Sequence, residues 1–315
     1  MMIVDLRQIS SRQLEPLLKE EAEHWRDDLR WDYRASLELI RKFVDARSLN
    51  GCAAVENGEP AGYAFYVLEE HKGLMGGMYV SPRFSQAAVS RALLGEMLAT
   101  LRAIPRIERI EAQLMPFGCS FDPVLAEEGF RLFARQFMIL ALDGSGARAA
   151  SGQRPAISPG LCLEPWNDRQ FEACARLIHL AYANHIDGEI NDQYRSEAGA
   201  MKFLKNIVIL PGCGQFQPAA SFLLCTPGDN RPIGMVLASE VSPGVAHTTQ
   251  ICVMPGYQGH GLGRLLMEAS IQALRERHFS ALSLTVTSLN ATAVRLYENL
   301  GFHAVKTFAA GVWEA

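Results

Sequence analysis

The sequence predicts an α/β (α+β) protein made of two tandem copies of one fold, each a mixed, mainly antiparallel sheet flanked by helices. Three observations predict it. The chain has 315 residues, 49 % of them hydrophobic and 20 % charged, which suits two domains of about 150 residues and is too apolar for disorder. Between Leu142 and Leu161 runs DGSGARAASGQRPAISPG, a Gly, Ser, Ala and Pro stretch with almost nothing to bury, as a connector requires. On either side of it the same order of signals returns. The expected divisions are a first domain over 1–142, a linker over 143–160 and a second domain over 161–315.

The repeat is weak but ordered. In the second half, His247-Thr-Thr-Gln-Ile-Cys-Val-Met-Pro255 reads as a strand ended by Pro, followed by a glycine turn and a helix. In the first half, Gly76-Gly-Met-Tyr-Val-Ser-Pro82 precedes a helix rich in Leu93, Leu94, Met97, Leu98 and Leu101. The two prolines lie 173 residues apart, and Gly301-Phe302 follows Gly129-Phe130 by 172. One residue of slippage separates the two matches.

Within the second copy, 161–165 is a strand and Asp168 is placed to cap a helix reaching about 184. A polar loop follows, then a helix over 194–208. Strands are expected over 219–225, 232–241 and 246–254, with turns marked by Pro227-Gly-Asp and Pro243-Gly. Short turns between consecutive strands imply antiparallel pairing. The helix over 262–278 sets Leu262, Leu265, Leu266, Ala269, Ala273 and Leu274 along one side, so it packs on the sheet. A crossover strand over 281–286, a helix over 290–300 and a strand over 302–313 complete the copy.

Charge and cysteine usage narrow the function classes. Thirty Lys and Arg against 34 Asp and Glu leave a net charge of −4, so no broad basic footprint for nucleic acid or an anionic membrane is expected. No 18-residue uncharged apolar run occurs, and the first 25 residues lack a secretory pattern. A cytoplasmic location is the expectation. The seven Cys, at 52, 119, 162, 174, 213, 225 and 252, show no C-x-x-C pair for zinc or redox chemistry. No metal is expected, and the thiols are read as free.

The chemistry-bearing segment is Gln258-Gly259-His260-Gly261-Leu262-Gly263-Arg264, set where a strand ends and a helix begins. Free backbone N–H groups and the positive end of the helix dipole meet there, and glycine lets an anion approach the backbone closely. A dinucleotide fingerprint fails because Arg264 and Leu266 stand where its last Gly belongs. The Walker pattern fails because Leu262-Gly263 replaces its Lys and Ser/Thr. What remains is Val253-x-Pro255-x-x-Gln258-x-x-Gly261-x-Gly263, with Asn290 and Leu296-Tyr297-x-x-x-Gly301-Phe302 downstream. This combination resembles the GCN5-related N-acetyltransferase (GNAT) superfamily, clearly over 161–315 and by register alone over the first half.

The resemblance implies two tandem GNAT folds and acetyl-CoA as cosubstrate. It makes Gln258, Gly259, Gly261, Gly263 and Arg264 the pyrophosphate loop, with backbone amides of the last four as donors. It places Val253 where the fourth strand splays from the fifth, exposing backbone groups to the pantetheine arm and the thioester carbonyl. Asn290 is expected to bond the pantetheine, and Tyr297 to protonate the departing thiolate. An acceptor amine arrives protonated, so a base is wanted. His247 lies six residues before Val253, which on a regular strand puts both on one face. It is the first candidate base, with Glu240 in reserve. Ribosomal-protein N-terminal acetyltransferases of the superfamily use a Glu on the next strand, where Thr285 stands here. The acidic loop carrying Asp187 and Glu189 sits where the superfamily builds its acceptor wall, and suits a cationic amine.

In the first copy the loop positions become Ser85, Ala88 and Ser90, while Leu74, Gly118 and Leu125 replace His247, Asn290 and Tyr297. Side chains there crowd a pyrophosphate, so this half is read as a degenerate copy. The expected function is transfer of acetyl from acetyl-CoA to a small-molecule or peptide primary amine in one ternary complex, by the C-terminal domain. The alternatives are an acyl-CoA-binding regulatory protein without turnover, and an acyltransferase that uses a longer acyl-CoA.

Overall fold

The computed structural model describes residues 1–143, 160–210 and 213–315, and its contacts divide into two units. Unit 1 is Met1–Arg135 with Thr307–Ala315, and unit 2 is Gln136–Lys306. The expected boundaries at 142 and 161 give way because two strands pass from one unit to the other. Nearly all of the expected linker lies outside the described residues.

In chain order the first elements are β1 (Met2–Asp5), α1 (Ser11–Leu29), α2 (Arg34–Asp45), β2 (Asn50–Glu56), β3 (Glu59–Glu69), β4 (Lys72–Val80), α3 (Gln86–Arg102), β5 (Arg109–Ala112), α4 (Asp122–Glu127) and β6 (Arg131–Ala141). Then come β7 (Cys162–Pro165), α5 (Phe171–Tyr182), α6 (Ile186–Ile190), α7 (Glu197–Val208), β8 (Gln215–Phe216), β9 (Phe222–Cys225), β10 (Pro232–Ser242) and β11 (Val245–Val253). The chain finishes with α8 (Leu262–Glu276), β12 (Ala281–Thr287), α9 (Ala291–Asn299) and β13 (His303–Glu314). β6 and β13 are the strands that cross between units.

In unit 1 the strand order is β1-β2-β3-β4-β5-β13. All these neighbours pair antiparallel except β4 and β5, which run parallel over Lys72–Met75 and Arg109–Ala112. α3 lays Val89, Leu93, Leu94, Met97, Leu98 and Leu101 on Ala54, Ala61, Ala64, Met75 and Met78 of the sheet. The end of β13 closes the edge, with Gly311–Glu314 opposite Ala112–Arg109. There the buried Arg109 guanidinium meets the carboxylates of Glu111, at 2.7 Å, and Glu314. A buried cation of this kind is tolerable because it is paired.

Unit 2 repeats the plan with strand order β6-β12-β11-β10-β9-β7, β8 pairing with β10. β11 and β12 are its parallel pair, over Val245–Thr248 and Ala281–Leu284. α8 covers one face, burying Leu262, Leu265, Leu266, Met267, Ile271 and Leu274 against Val236, Ala238, Ala246 and Leu284. α5 and α7 cover the other, against Leu223, Met235, Leu237 and Cys252. The two parallel ladders lie 173 and 172 residues apart, at the spacing of the sequence repeat.

Local capping departs from expectation in one place. Asn167, not Asp168, caps the chain entering α5, accepting the Arg169 N–H at 3.0 Å, while Asp168 accepts the Trp166 indole N–H at 2.7 Å. The expected polar loop after α5 is partly ordered as α6 and a 3-10 turn at Asp192–Arg195. The seven cysteines are free.

Candidate active site

The parallel pairing of β11 with β12 ends at Thr248 and Leu284, so the strands diverge over Thr249–Val253. Which backbone groups face the gap follows from the antiparallel partner on the other side. Gly234 is opposite Val253, and the Met254 N–H bonds the Ile233 carbonyl at 2.8 Å. That pattern makes the Val253–Gly234 pair non-hydrogen-bonded, so the N–H and C=O of Val253 and of Ile251 point away from β10 and into the gap. Both carbonyls are engaged: Ile251 O accepts from the Tyr182 hydroxyl at 3.2 Å and Val253 O from Gln258 Nε2 at 3.0 Å. Two backbone N–H groups therefore line the splay.

The glycine loop lies at the same end of β11. Gly261 caps α8 with φ 77° and no side-chain cap bond, and Gly259 has φ 80°. A Cβ added at either meets no heavy atom within 4 Å, so these positions need glycine for the left-handed backbone, and the outer side of the loop stays open. The first helical bond is from Leu265 N to Gly261 O. The N–H groups of Leu262, Gly263 and Arg264 have no carbonyl a turn behind them and face outward with the positive helix end. This is a cradle fit for a pyrophosphate. Arg264 turns its side chain to Glu268 at 2.7 Å, leaving its backbone as the available group.

Around the gap stand side chains from three elements. Asp187, on α6, accepts a hydrogen bond from the Thr287 hydroxyl at the end of β12. His185 precedes α6, its Nδ1 accepting the Asp187 N–H at 3.1 Å and standing 3.7 Å from Asp187 Oδ2. Its Nε2 lies 3.2 Å from Asn290 Nδ2. Asn290 also caps α9, accepting the Ala293 N–H at 3.2 Å. Tyr182 sets its ring edge-on to His185, with centroids 5.3 Å apart. Tyr297, on α9, is buried, and burial followed by the Asp187 carboxylate pushes its phenol well above the usual tyrosine value.

Asp187, Asn290 and Tyr297 thus come together, and Gln258 fastens the loop to Val253. His247 does not join them. Leu237 pairs with Gln250 but Ala238 with Thr248, so Thr249 is an extra residue on β11, and such a bulge interrupts side-chain alternation. His247 is opposite Ser239 and bonds Ser283 Oγ at 2.8 Å. It shares the α5–α7 face with Leu237 and Cys252, whereas Ile251 and Val253 pack with the α8 core. Six residues at about 3.3 Å each also put it well short of Val253. Glu240 lies farther off, at the β10–β11 turn, accepting from the Gly244 N–H at 2.9 Å and Gln217 Nε2 at 3.1 Å. Glu189 is half-buried in α6 beside Asp187. His185, Tyr182 and Thr287 are the participants that strand and loop patterns did not reveal. The signal was present in His185-x-Asp187, where a ring two residues before a carboxylate can accept that residue's N–H.

A helix N-terminus open to an anion, a neighbouring splayed strand pair and a buried phenol define a site for a long ligand with an anionic end and a reactive end. Residues 190–302 match the sequence model of the Acetyltransferase (GNAT) family. The chain is 32 % identical over 172 residues to a mycothiol acetyltransferase of Beutenbergia cavernae, an alignment spanning 54 % of each protein. It thus spans about half the length of that relative. A mycothiol acetyltransferase of Nocardia farcinica is 26 % identical over 87 % of this chain and 94 % of its own. The [ribosomal protein bS18]-alanine N-acetyltransferase of Escherichia coli is 49 % identical over 53 residues, 17 % of this chain and 36 % of that one.

Solved structures agree on the fold. A GCN5-related N-acetyltransferase from Sphaerobacter thermophilus superposes with TM-score 0.68 at 15 % identity, over 99 % of this chain and 95 % of that one. A tandem GNAT protein from the clavulanic acid biosynthesis pathway gives 0.62 at 14 %, over 99 % and 98 %. Residues 190–302 thus form a GNAT acetyltransferase domain, and the chain has the GNAT fold.

Proposed function

We propose that unit 2 is an acetyl-CoA-dependent N-acetyltransferase acting on a primary amine in one ternary complex, and that unit 1 is its non-catalytic copy. The observation that carries this reading is the glycine loop of α8 opening beside the free N–H groups of β11 and the buried Tyr297. Gly259, Gly261, Gly263 and Arg264 would hold the pyrophosphate through backbone N–H groups, and Val253 and Ile251 would align the pantetheine and the thioester carbonyl. Acetyl-CoA supplies the activated acyl group. Asp187 attracts the ammonium form of the acceptor, and Glu189 adds negative charge to the same wall.

The amine must lose one proton before it attacks. We assign that proton to His185 in place of His247: its Nδ1 gives up the Asp187 N–H bond to accept it, and Asp187 Oδ2, 3.7 Å away, stabilises the added charge. The nitrogen lone pair then forms the C–N bond at the carbonyl carbon, and the N–H groups of β11 stabilise the developing oxyanion. The C–S bond breaks, and the second proton from nitrogen ends on sulfur. Tyr297 holds the departing sulfur by an O–H hydrogen bond. Full transfer of its proton is uphill, since a phenol raised above its ordinary value near 10 is a weaker acid than a thiol near 8.5. The relatives named for mycothiol and for ribosomal protein bS18 differ in acceptor, so the acceptor class rests on Asp187 and Glu189.

Two measurements test the reading. Acetyl-CoA is titrated calorimetrically into the full chain, and amines are then screened by release of free CoA thiol. With an acceptor found, His185→Gln lowers kcat about 100-fold and removes the acidic limb of the pH profile, while acetyl-CoA binding is unchanged. Absence of binding to wild type would overturn the cosubstrate. A pH profile untouched in His185→Gln would overturn the base.

A further inference from the structure

Two of the free cysteines of unit 2 lie directly opposite each other. β7 is the last strand of its sheet and pairs antiparallel with β9, with Cys162 opposite Cys225. Opposed residues of an antiparallel pair turn their side chains to one face. That face is the α5–α7 side, where Cys225 and Trp166 are buried. The Trp166 N–H bonds the Ser221 carbonyl at 2.9 Å, and the Thr226 N–H bonds the Arg231 carbonyl at 3.0 Å on the β10 side. Alternation from either end makes Cys162–Cys225 a hydrogen-bonded pair, whose Cα atoms lie about 5.5 Å apart. A disulfide accepts Cα separations of about 4.4–6.8 Å, so the backbone already stands at bridging distance. The Cβ atoms, about 4.5–5.5 Å apart in such pairs, must close to about 3.8 Å. β7 can supply that shift, since it is four residues long and ends the sheet.

The two thiols differ in access. Cys162 is exposed, whereas Cys225 is fully buried. A solute therefore meets Cys162 first, and Cys225 stands behind it. Burial, then the nearby Glu164 carboxylate, pushes the Cys225 thiol up to about 11, so at neutral pH it is a thiol and not the reactive thiolate. The other two cysteines in strands, Cys52 and Cys252, are opposite Ala64 and Met235. Between Cys162 and Cys225 the chain makes α5, α6 and α7 and includes Tyr182, His185, Asp187 and Glu189. A bond between the two sulfurs would join the ends of that whole segment.

We propose that Cys162 and Cys225 form a reversible disulfide when the protein meets a peroxide, clasping the two ends of the segment that bears α5, α6 and α7. In the first step the Cys162 thiolate attacks a peroxide oxygen. The S–O bond forms, the O–O bond breaks, and the departing hydroxide takes a proton and leaves as water. In the second step the Cys225 sulfur attacks the sulfur of the Cys162 sulfenic acid. The S–S bond forms, the S–O bond breaks, and the Cys225 proton leaves with the hydroxide as a second water. Both sulfurs are oxidised, and one peroxide is reduced to two waters. Because the Cβ atoms must be drawn together and Cys162 is exposed, the bridge is readily reopened by a thiol, which is itself oxidised to a disulfide. The clasp is independent of the transfer chemistry proposed for unit 2, which uses neither thiol.

The test treats the reduced full chain with a small molar excess of hydrogen peroxide, blocks remaining thiols with iodoacetamide in denaturant, and maps peptides by mass spectrometry without reduction. A peptide pair joined through Cys162 and Cys225, lighter by two hydrogens than the separate thiols, is expected, and dithiothreitol should restore both thiols. The oxidised protein should unfold about 5 °C or more above the reduced one, because the clasp closes a loop of about 60 residues. Cys162→Ser should abolish that shift, and it alters only an exposed side chain. The proposal is overturned if both thiols survive the peroxide, or if Cys162 ends as a sulfinic or sulfonic acid with Cys225 still a thiol. It is overturned equally if Cys162 is joined to another cysteine or another molecule, or if Cys162→Ser shows the same shift.

Discussion

The two units share a parallel ladder of four residue pairs, and they part company immediately beyond it. In unit 2, Gln258–Gly261 is an open loop and α8 begins at Leu262, its cap at φ 77°. In unit 1 the corresponding residues 85–88 have become the cap and first turn of α3, which begins at Gln86. Gln86 Nε2 then reaches both Val80 O at 3.3 Å and Phe117 O at 3.4 Å. It thereby ties the end of β4 to the segment after β5, across the place where unit 2 leaves its splay open. Gln258 bonds only the Val253 carbonyl among these equivalents. The splay belongs to the fold, whereas the open helix N-terminus belongs to a handful of glycines that keep the helix from starting early.

That contrast can be broken deliberately. The largest effect is expected from deleting Thr307–Ala315, which strips β5 of its antiparallel neighbour and Arg109 of Glu314. β5 is left as an open edge without its ladder partner, so hydrogen exchange should find β5 amides unprotected while β10 keeps its protection. Retained protection at β5 would show that unit 1 does not need β13. Next, Gly261→Asp should weaken acetyl-CoA more than 100-fold by calorimetry, since it adds backbone strain and a negative charge to the cradle. Ala88→Asp, its counterpart in unit 1, should leave that affinity alone, and equal losses would mean that both units bind the cosubstrate.

A subtler contrast lies in pH. Glu21 has a folded value near 7 against 4.5 for the ordinary carboxyl, so the folded state holds its proton longer than the unfolded one. Its stabilising contribution is complete below about pH 4.5 and is lost as pH rises through 7, amounting to about 3 kcal/mol. Denaturation at pH 5 and pH 8 should show unit 1 of the wild type losing that much more stability than Glu21→Gln. Parallel losses would refute the raised carboxyl. The smallest effect concerns His247→Ala, expected to change turnover less than twofold, because the ring bonds Ser283 away from the gap. A loss of tenfold or more would return the base to β11.

Much of this was legible in the chain itself. The spacing of Pro82 from Pro255 matches that of the two parallel ladders, and the loop at Gly259–Gly263 stands where a strand-end Pro and a periodic helix placed it. What could not be read was a one-residue event, the bulge at Thr249. Parity arguments assume an unbroken strand, and one extra residue sends His247 to the opposite face from Val253. His185 escaped for a related reason, since the five residues of α6 are too few to show a helical period. The exchange of β6 and β13 between units leaves no local signature, because either strand reads the same whichever sheet it completes.

β13 has a consequence for how the protein is made. Unit 1 is the first to be translated, yet its sheet lacks a member until Thr307–Glu314 has been synthesised, some 170 residues after Arg135. At about 5–20 residues per second that delay is on the order of ten seconds or more. Throughout it, β5 presents an open edge and Arg109 waits for Glu314, a pairing 205 residues apart in sequence. The order of synthesis and the order of completion are therefore reversed, and nascent unit 1 is the stage at which this protein most needs protection from other chains.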